Sequence, residues 1–153
     1  MLDFTCGATH NHSDPNLFGR CTFLGLVNVA YRPQDLIHIP LAEDGTTSTV
    51  KDKTHWFSPS NCPTKRQEAM EKHGNYCLLV VDLDKLNHRQ EDIASQLQQL
   101  GIESFLIYDT VSSTESDRRH RVVIELASAV CVDTWLVLQR ALVSFLMFVM
   151  DKW

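Results

Sequence analysis

YCLLVVDLD, Tyr76 to Asp84, is the stretch on which the fold turns. Tyr76 to Val81 is an unbroken apolar, partly β-branched run, the signature of a strand buried on both faces. Asp82-Leu83-Asp84 follows directly. Side chains alternate along a strand, so Asp82 and Asp84 point the same way at its end. Two carboxylates so placed repel each other unless positive charge lies between them. A hard divalent cation, Mg²⁺ or Mn²⁺, is one answer. A solvated strand end, where Asp is common, is the other.

Working outward, Pro63 and Thr64 predict a helix over 64–73, with Thr64 and Gln67 as a capping box and Gly74 at C′. Asn87 is expected to cap a second helix running to about Leu100, with Ile93, Leu97 and Leu100 as its apolar stripe and Gly101 after it. Ser104–Tyr108 (SFLIY) and Arg121–Leu126 (RVVIEL) read as strands, and Asp133 as the cap of a last helix to about Val149. The order strand, helix, strand, strand, helix predicts an α+β fold. One sheet holds 76–81, 104–108 and 121–126, and helices, those at 64–73 and 88–100 included, pack mainly on one face. The first half is less patterned. Residues 1–21 show little periodicity, and His10 to Asn16 are turn formers. Thr22–Tyr31 (TFLGLVNVAY) reads as a strand, 44–47 as a turn before a short strand at 48–50, and Trp56–Pro59 as an extended aromatic piece.

The 153 residues fit a single domain, 1–153, with 1–60 its poorly defined part. A composition 44% hydrophobic and 22% charged excludes collagen-like, disordered and coiled-coil chains. A net charge of −5 argues against a broadly basic nucleic-acid coat but allows a local basic stripe. Five cysteines without a CxxC pair, and no signal-peptide pattern, suggest free thiols in a reducing, cytoplasmic setting. Cys62, Cys77 and Cys131 are expected in apolar surroundings. Trp135–Met150 is apolar but holds Gln139 and Arg140 and is short for a membrane span, so it reads as a core helix. The abrupt stop at Asp151-Lys152-Trp153 suggests a domain cut from a longer protein, or one completed by a partner.

Asp109 to Leu126 is the most distinctive segment. Thr110, Ser112, Ser113 and Thr114 precede Arg118, Arg119, His120 and Arg121. Hydroxyls and arginines together suit phosphate, by neutral donors and by bidentate charge. The plain alternative is a hairpin loop with a solvated basic flank. His10, His12 and Asp14 suggest an HxH-type metal site, but the further His and Asp ligands it needs after strands are not evident. Cys6, His10, His12 and Cys21 are zinc-ligand types whose spacing fits no familiar finger; an ordinary polar loop is the plain alternative. Trp56 and Phe57 beside Lys51, Lys53 and His55 suit base stacking or a core edge. No P-loop, dinucleotide fingerprint or nucleophile triad is present.

LLVVDLD, then a helix, then ESFLIYDTVSSTESDRRHRVVIEL resembles the catalytic core of the archaeo-eukaryotic primase superfamily, above all the phage and plasmid primase-polymerases. The resemblance covers Tyr76 to Leu126 well, the last helix loosely and 1–75 hardly. It implies an RRM-like, primase-like sheet and a DNA-replication nucleotidyltransferase. Asp82, Asp84 and a third acid would be catalytic and hold Mg²⁺ or Mn²⁺. Asp151 stands where that acid is expected, with Glu125 and Asp133 as fallbacks. Ser112, Ser113, Arg119 and Arg121 would hold nucleotide phosphates. The implied partners are nucleoside triphosphates, a single-stranded DNA template and a helicase segment or protein. Many relatives place a histidine where Val111 stands here, with His120 a weak substitute, and Asp151 lies next to the chain end. Poor polymerase activity is therefore expected even with nucleotide bound. The alternatives are a non-catalytic nucleic-acid or protein interaction module on the same fold, and a small RRM-like interaction domain.

Overall fold

The computed structural model describes residues 2–8, 14–31, 54–64, 66–84 and 88–150. The turn and short strand predicted at 44–50, and Asn87 as a helix cap, lie outside them. The chain divides into two compact units, Met1–Cys77 and Leu78–Trp153.

In the first unit, β1 (Asp3–Gly7) lies between β2 (Gly19–Thr22) and β3 (Trp56–Phe57), antiparallel to both. Neighbours Phe4 and Thr5 are both buried, one on each face of β1. That removes the polar alternation that would have marked the strand. Phe4 meets Phe57 edge-on at 5.8 Å, and Thr5 Oγ1 donates to the Cys62 carbonyl at 3.0 Å.

The strand predicted over Thr22–Tyr31 is instead a helix, α1 (Phe23–Ala30). The Thr22 hydroxyl accepts the Gly25 N–H at 3.2 Å, an N-cap that starts a helical turn. A short apolar run does not by itself tell a strand from a helix. The helix predicted over 64–73 forms as α2 (Gln67–His73). Thr64 accepts instead from the Arg66 N–H at 3.0 Å, so its hydroxyl closes a local turn and the helix begins after it. Gly74 ends α2 with extended backbone (φ −80). A side chain there would collide with the Met70 carbonyl and the Ser60 hydroxyl, so close packing, not a left-handed turn, requires glycine. α2 is held by Ser58 Oγ to Met70 Sδ at 3.3 Å and by Cys62 Sγ to the Ala69 carbonyl at 3.8 Å.

The second unit has the expected α+β order. Strand β4 (Tyr76–Asp84) leads into it, followed by α3 (Gln90–Gln99), β5 (Phe105–Asp109), β6 (Arg119–Val130) and α4 (Val132–Met150). The three strands predicted to share a sheet do so in the order β4-β6-β5, with β6 longer than predicted at both ends. One face packs Leu79, Val81, Leu83, Val122 and Ile124 against Ile93 and Leu97 of α3 and Leu142 and Leu146 of α4. α3 starts after Arg89, whose N–H donates to Asp92 Oδ2 at 3.3 Å. It closes through Gly101 at φ +76, where only glycine is unstrained. Asp133 sits inside the first turn of α4, where its charge faces the positive end of the helix dipole.

β4 is an edge strand, and α4 covers that edge. Trp135 Nε1 donates to the Leu78 carbonyl at 2.8 Å. The Gln139 amide donates to the Val80 carbonyl and accepts the Val80 N–H at 3.2 Å. These bonds occupy groups that would otherwise invite another strand. No helix among the described residues is long and apolar enough to cross a membrane.

Gln139→Leu should destabilise the protein by about 1–3 kcal/mol, because it strands both Val80 backbone groups. Val137→Ala, on the exposed side of the same helix, should stay within about 0.5 kcal/mol of the parent. Urea unfolding followed by tryptophan fluorescence measures both.

Candidate functional site

Burying Leu79, Val81 and Leu83 on the helix face of β4 turns Asp82 and Asp84 out on the other face. The same alternation on β6 sends Val122 and Ile124 to the core and Arg119 and Arg121 to the face of the two acids. Arg121 grips Asp82 with two parallel bonds, Nε to Oδ1 at 2.6 Å and Nη2 to Oδ2 at 2.8 Å. Asp84 lies within electrostatic reach of Arg119. The two acid–arginine relations run in opposite senses along the strands, as an antiparallel pair requires.

Across the sheet, Tyr108 of β5 is the register partner of Arg121 and lies within its electrostatic reach. Asp82, Arg121 and Tyr108 thus form one row over three strands. Burial pushes the Tyr108 phenol up, with Arg121 pulling the other way. The Asp82 hydrogen bond holds the Arg121 guanidinium still more firmly protonated than usual. Arg119 is held up by its hydrogen bonds to Asp117, at 2.6 and 3.0 Å.

The hydroxyls expected to join this row lie in the turn that follows β5. Ser113 Oγ accepts the Arg119 N–H at 3.0 Å, and Ser112 is half-buried in the turn between β5 and β6. Val111 is exposed. Glu125 is half-buried on β6, and Asp133 is exposed at the start of α4. Asp151, His10 and His12 lie outside the described residues. Asp14 caps the short turn at Pro15–Leu17 through the Asn16 N–H at 2.9 Å. Trp56 and Phe57 pack on Phe18 and Phe4, the core-edge arrangement.

By type and spacing, Asp82 and Asp84 suit a hard divalent cation. Both Asp82 oxygens are taken by Arg121, so a cation there requires the guanidinium to swing away. Among the described residues, no group of three or more His, Cys, Asp or Glu side chains is placed to hold a metal ion.

A second polar feature was hidden in the sequence. His120 is only 5% exposed and points to the helix side of the sheet. Its Nε2 lies 2.8 Å from the His88 carbonyl. Its Nδ1 lies 2.6 Å from the carboxylate of Asp109, its partner across the strands, at an angle too oblique for a good hydrogen bond. Gln90 holds that carboxylate at 3.1 Å. His120, Asp109 and Gln90 line an open cleft of about 520 Å³ with Arg89, Ser113 and Arg118. Alternation along 118–121 was the available signal, since it sends His120 and Arg121 to opposite faces; the pairing with Asp109 depends on strand register.

The cysteines differ from expectation at one position. Cys77 is buried, but Cys131 is exposed at the start of α4. Its hydrogen bond with the Thr134 hydroxyl, at 3.5 Å, lowers the thiol below its ordinary value.

No protein-family model matches the chain, and neither a curated protein nor a solved structure matches it.

A lowered thiol holds more thiolate at a given pH. Iodoacetamide near neutral pH should therefore label Cys131 well before Cys77, and Thr134→Val should slow the Cys131 reaction. Peptide mass spectrometry over a time course gives both rates.

Proposed function

We propose that the second unit is the nucleotide-handling core of a primase-polymerase-like nucleotidyltransferase from a DNA-replication protein of a mobile element or phage, on an RRM-like, primase-like sheet. The observation that carries this reading is the acid–arginine row, with Asp82 and Asp84 on one strand and Arg121 and Arg119 opposite them on the next. Paired carboxylates facing paired guanidinia suit a ligand that is itself a polyphosphate with a bound cation.

Asp82 and Asp84 would hold Mg²⁺ or Mn²⁺, with Asp151 as the third ligand the resemblance adds; such a cation neutralises a triphosphate and activates the attacking hydroxyl. Arg121 has two positions in this scheme. It is clasped to Asp82 before ligand arrives and donates to phosphate oxygens afterwards, with Tyr108 steadying it from β5. Arg119 adds a second bidentate donor, and Ser112 and Ser113 add neutral ones. A single-stranded DNA template and a helicase segment or protein would be the macromolecular partners, and the setting would be cytoplasmic.

The clasp also favours a second reading. With Asp82 neutralised by Arg121, the face would act as a non-catalytic module that binds nucleic acid or a protein without metal.

Isothermal titration with ATP and dATP, with and without Mn²⁺, separates the two. On the first reading, nucleotide binding depends on Mn²⁺ and is lost in Asp82→Asn/Asp84→Asn. Arg121→Met weakens it by roughly 10- to 150-fold, the loss of one or two charge-assisted bonds. Primer extension by the parent chain should be weak and should rise with Val111→His. Unchanged nucleotide and Mn²⁺ affinity in the double Asn variant would sink this reading. Metal-independent binding of single-stranded DNA would establish the second.

A further inference from the structure

We infer that Cys6 and Cys21 are a redox-sensitive pair, which a hydroperoxide joins in a reversible cross-strand disulfide stapling β1 to β2. Strand register places them. Cys6 lies opposite Gly19 and Phe4 opposite Cys21, so the two cysteines share one face of the ribbon as diagonal neighbours. Gly19 leaves the position directly across from Cys6 empty; even an added methyl there would lie 3.6 Å from Cys6 Sγ. Cys6 Sγ fills that space, and the Cys21 thiol, on the same face and within electrostatic reach of Cys6, donates to the Thr22 carbonyl at 3.2 Å. Both side chains are half-buried, within reach of a small oxidant, whereas Cys77 is buried.

The chemistry balances with the hydroperoxide as two-electron oxidant. One thiolate attacks the peroxide oxygen, giving a sulfenic acid and releasing water or the alcohol. The second sulfur then displaces hydroxide from the sulfenic acid, forming the S–S bond, and the hydroxide leaves as water with the second thiol's proton. Diagonal neighbours lie about 7–8 Å apart at Cα, slightly beyond the usual disulfide span of about 4.4–6.8 Å. Closing the bond must draw Gly19–Cys21 toward β1. A bond under that tension is readily reduced, which makes the pair a sensor rather than a permanent staple. Burial raises both thiols above their ordinary value, which lowers the thiolate fraction and slows their attack on the peroxide. The pull falls next to Thr22, whose hydroxyl caps α1, so oxidation strains the start of that helix.

The test is to expose the full chain to hydrogen peroxide, block remaining thiols with N-ethylmaleimide and map the peptides. The expected product is a Cys6–Cys21 linked peptide, two hydrogens lighter than the separate thiol peptides and reversed by dithiothreitol. It should be absent in Cys6→Ser and in Cys21→Ser and retained in Cys131→Ser. If a serine variant fails to fold, the map of the parent chain decides alone. Labelling of both Cys6 and Cys21 as free thiols after peroxide, their appearance only as separate sulfinic or sulfonic acids, or a link to another cysteine would overturn the inference.

Discussion

The alternation of side chains on β4 is the constraint from which the second unit follows. Leu79, Val81 and Leu83 face the helices, and each buried aliphatic side chain contributes about 1.5–3 kcal/mol. The Asp82–Arg121 pair, with side chains 47% and 35% exposed, contributes on the order of 0.2–1 kcal/mol. Apolar burial therefore sets the register, and the ion pair accepts the position it is given. A slip of one residue would send both aspartates into the core and the leucines to water, a reversal no surface ion pair can offset.

The same rule explains why two polar features sit back to back. Arg119 and Arg121 take one face of β6, and His120 between them takes the other. His120 can be buried because its two ring nitrogens meet the His88 carbonyl and the Asp109 carboxylate. A buried imidazole without such neighbours would cost more than its ring gains by burial. The outward face keeps charges in water and free to exchange partners. The His120–Asp109 contact inside is fixed by the core around it. On the proposed reading, ligand exchange would fall to the Asp82–Arg121 row, while His120 packs at the end of the β5–β6 pair.

Sequence made the second unit legible because its signals are local. The apolar run of β4, the stripe of Ile93 and Leu97, and the glycine at 101 each act within a few residues. Asp82 and Asp84 on one face followed from spacing alone. That Arg121 would clasp Asp82 did not, because it depends on how β6 registers against β4, 39 residues apart. The first unit was misread for a related reason. Phe4 and Thr5 are buried on opposite faces, which erases the alternation of β1, and Thr22–Tyr31 has the apolar content of a strand with the capping hydroxyl of a helix. One hydrogen bond, Thr22 to Gly25, marks the difference, and an apolar count does not register it.

Gln139 carries the same lesson in reverse. Within the apolar run from Trp135 it read only as evidence against a membrane span. In the fold its amide pairs with both backbone groups of Val80, as a neighbouring strand would. An amide can do this because it offers a donor and an acceptor on one plane, matching the N–H and C=O that an edge residue presents. Leucine would supply more apolar area but leave both groups unpaired. The polar interruption of α4 is therefore a requirement of the sheet beside it, which closes the edge of the strand whose opposite side positions Arg121 against Asp82.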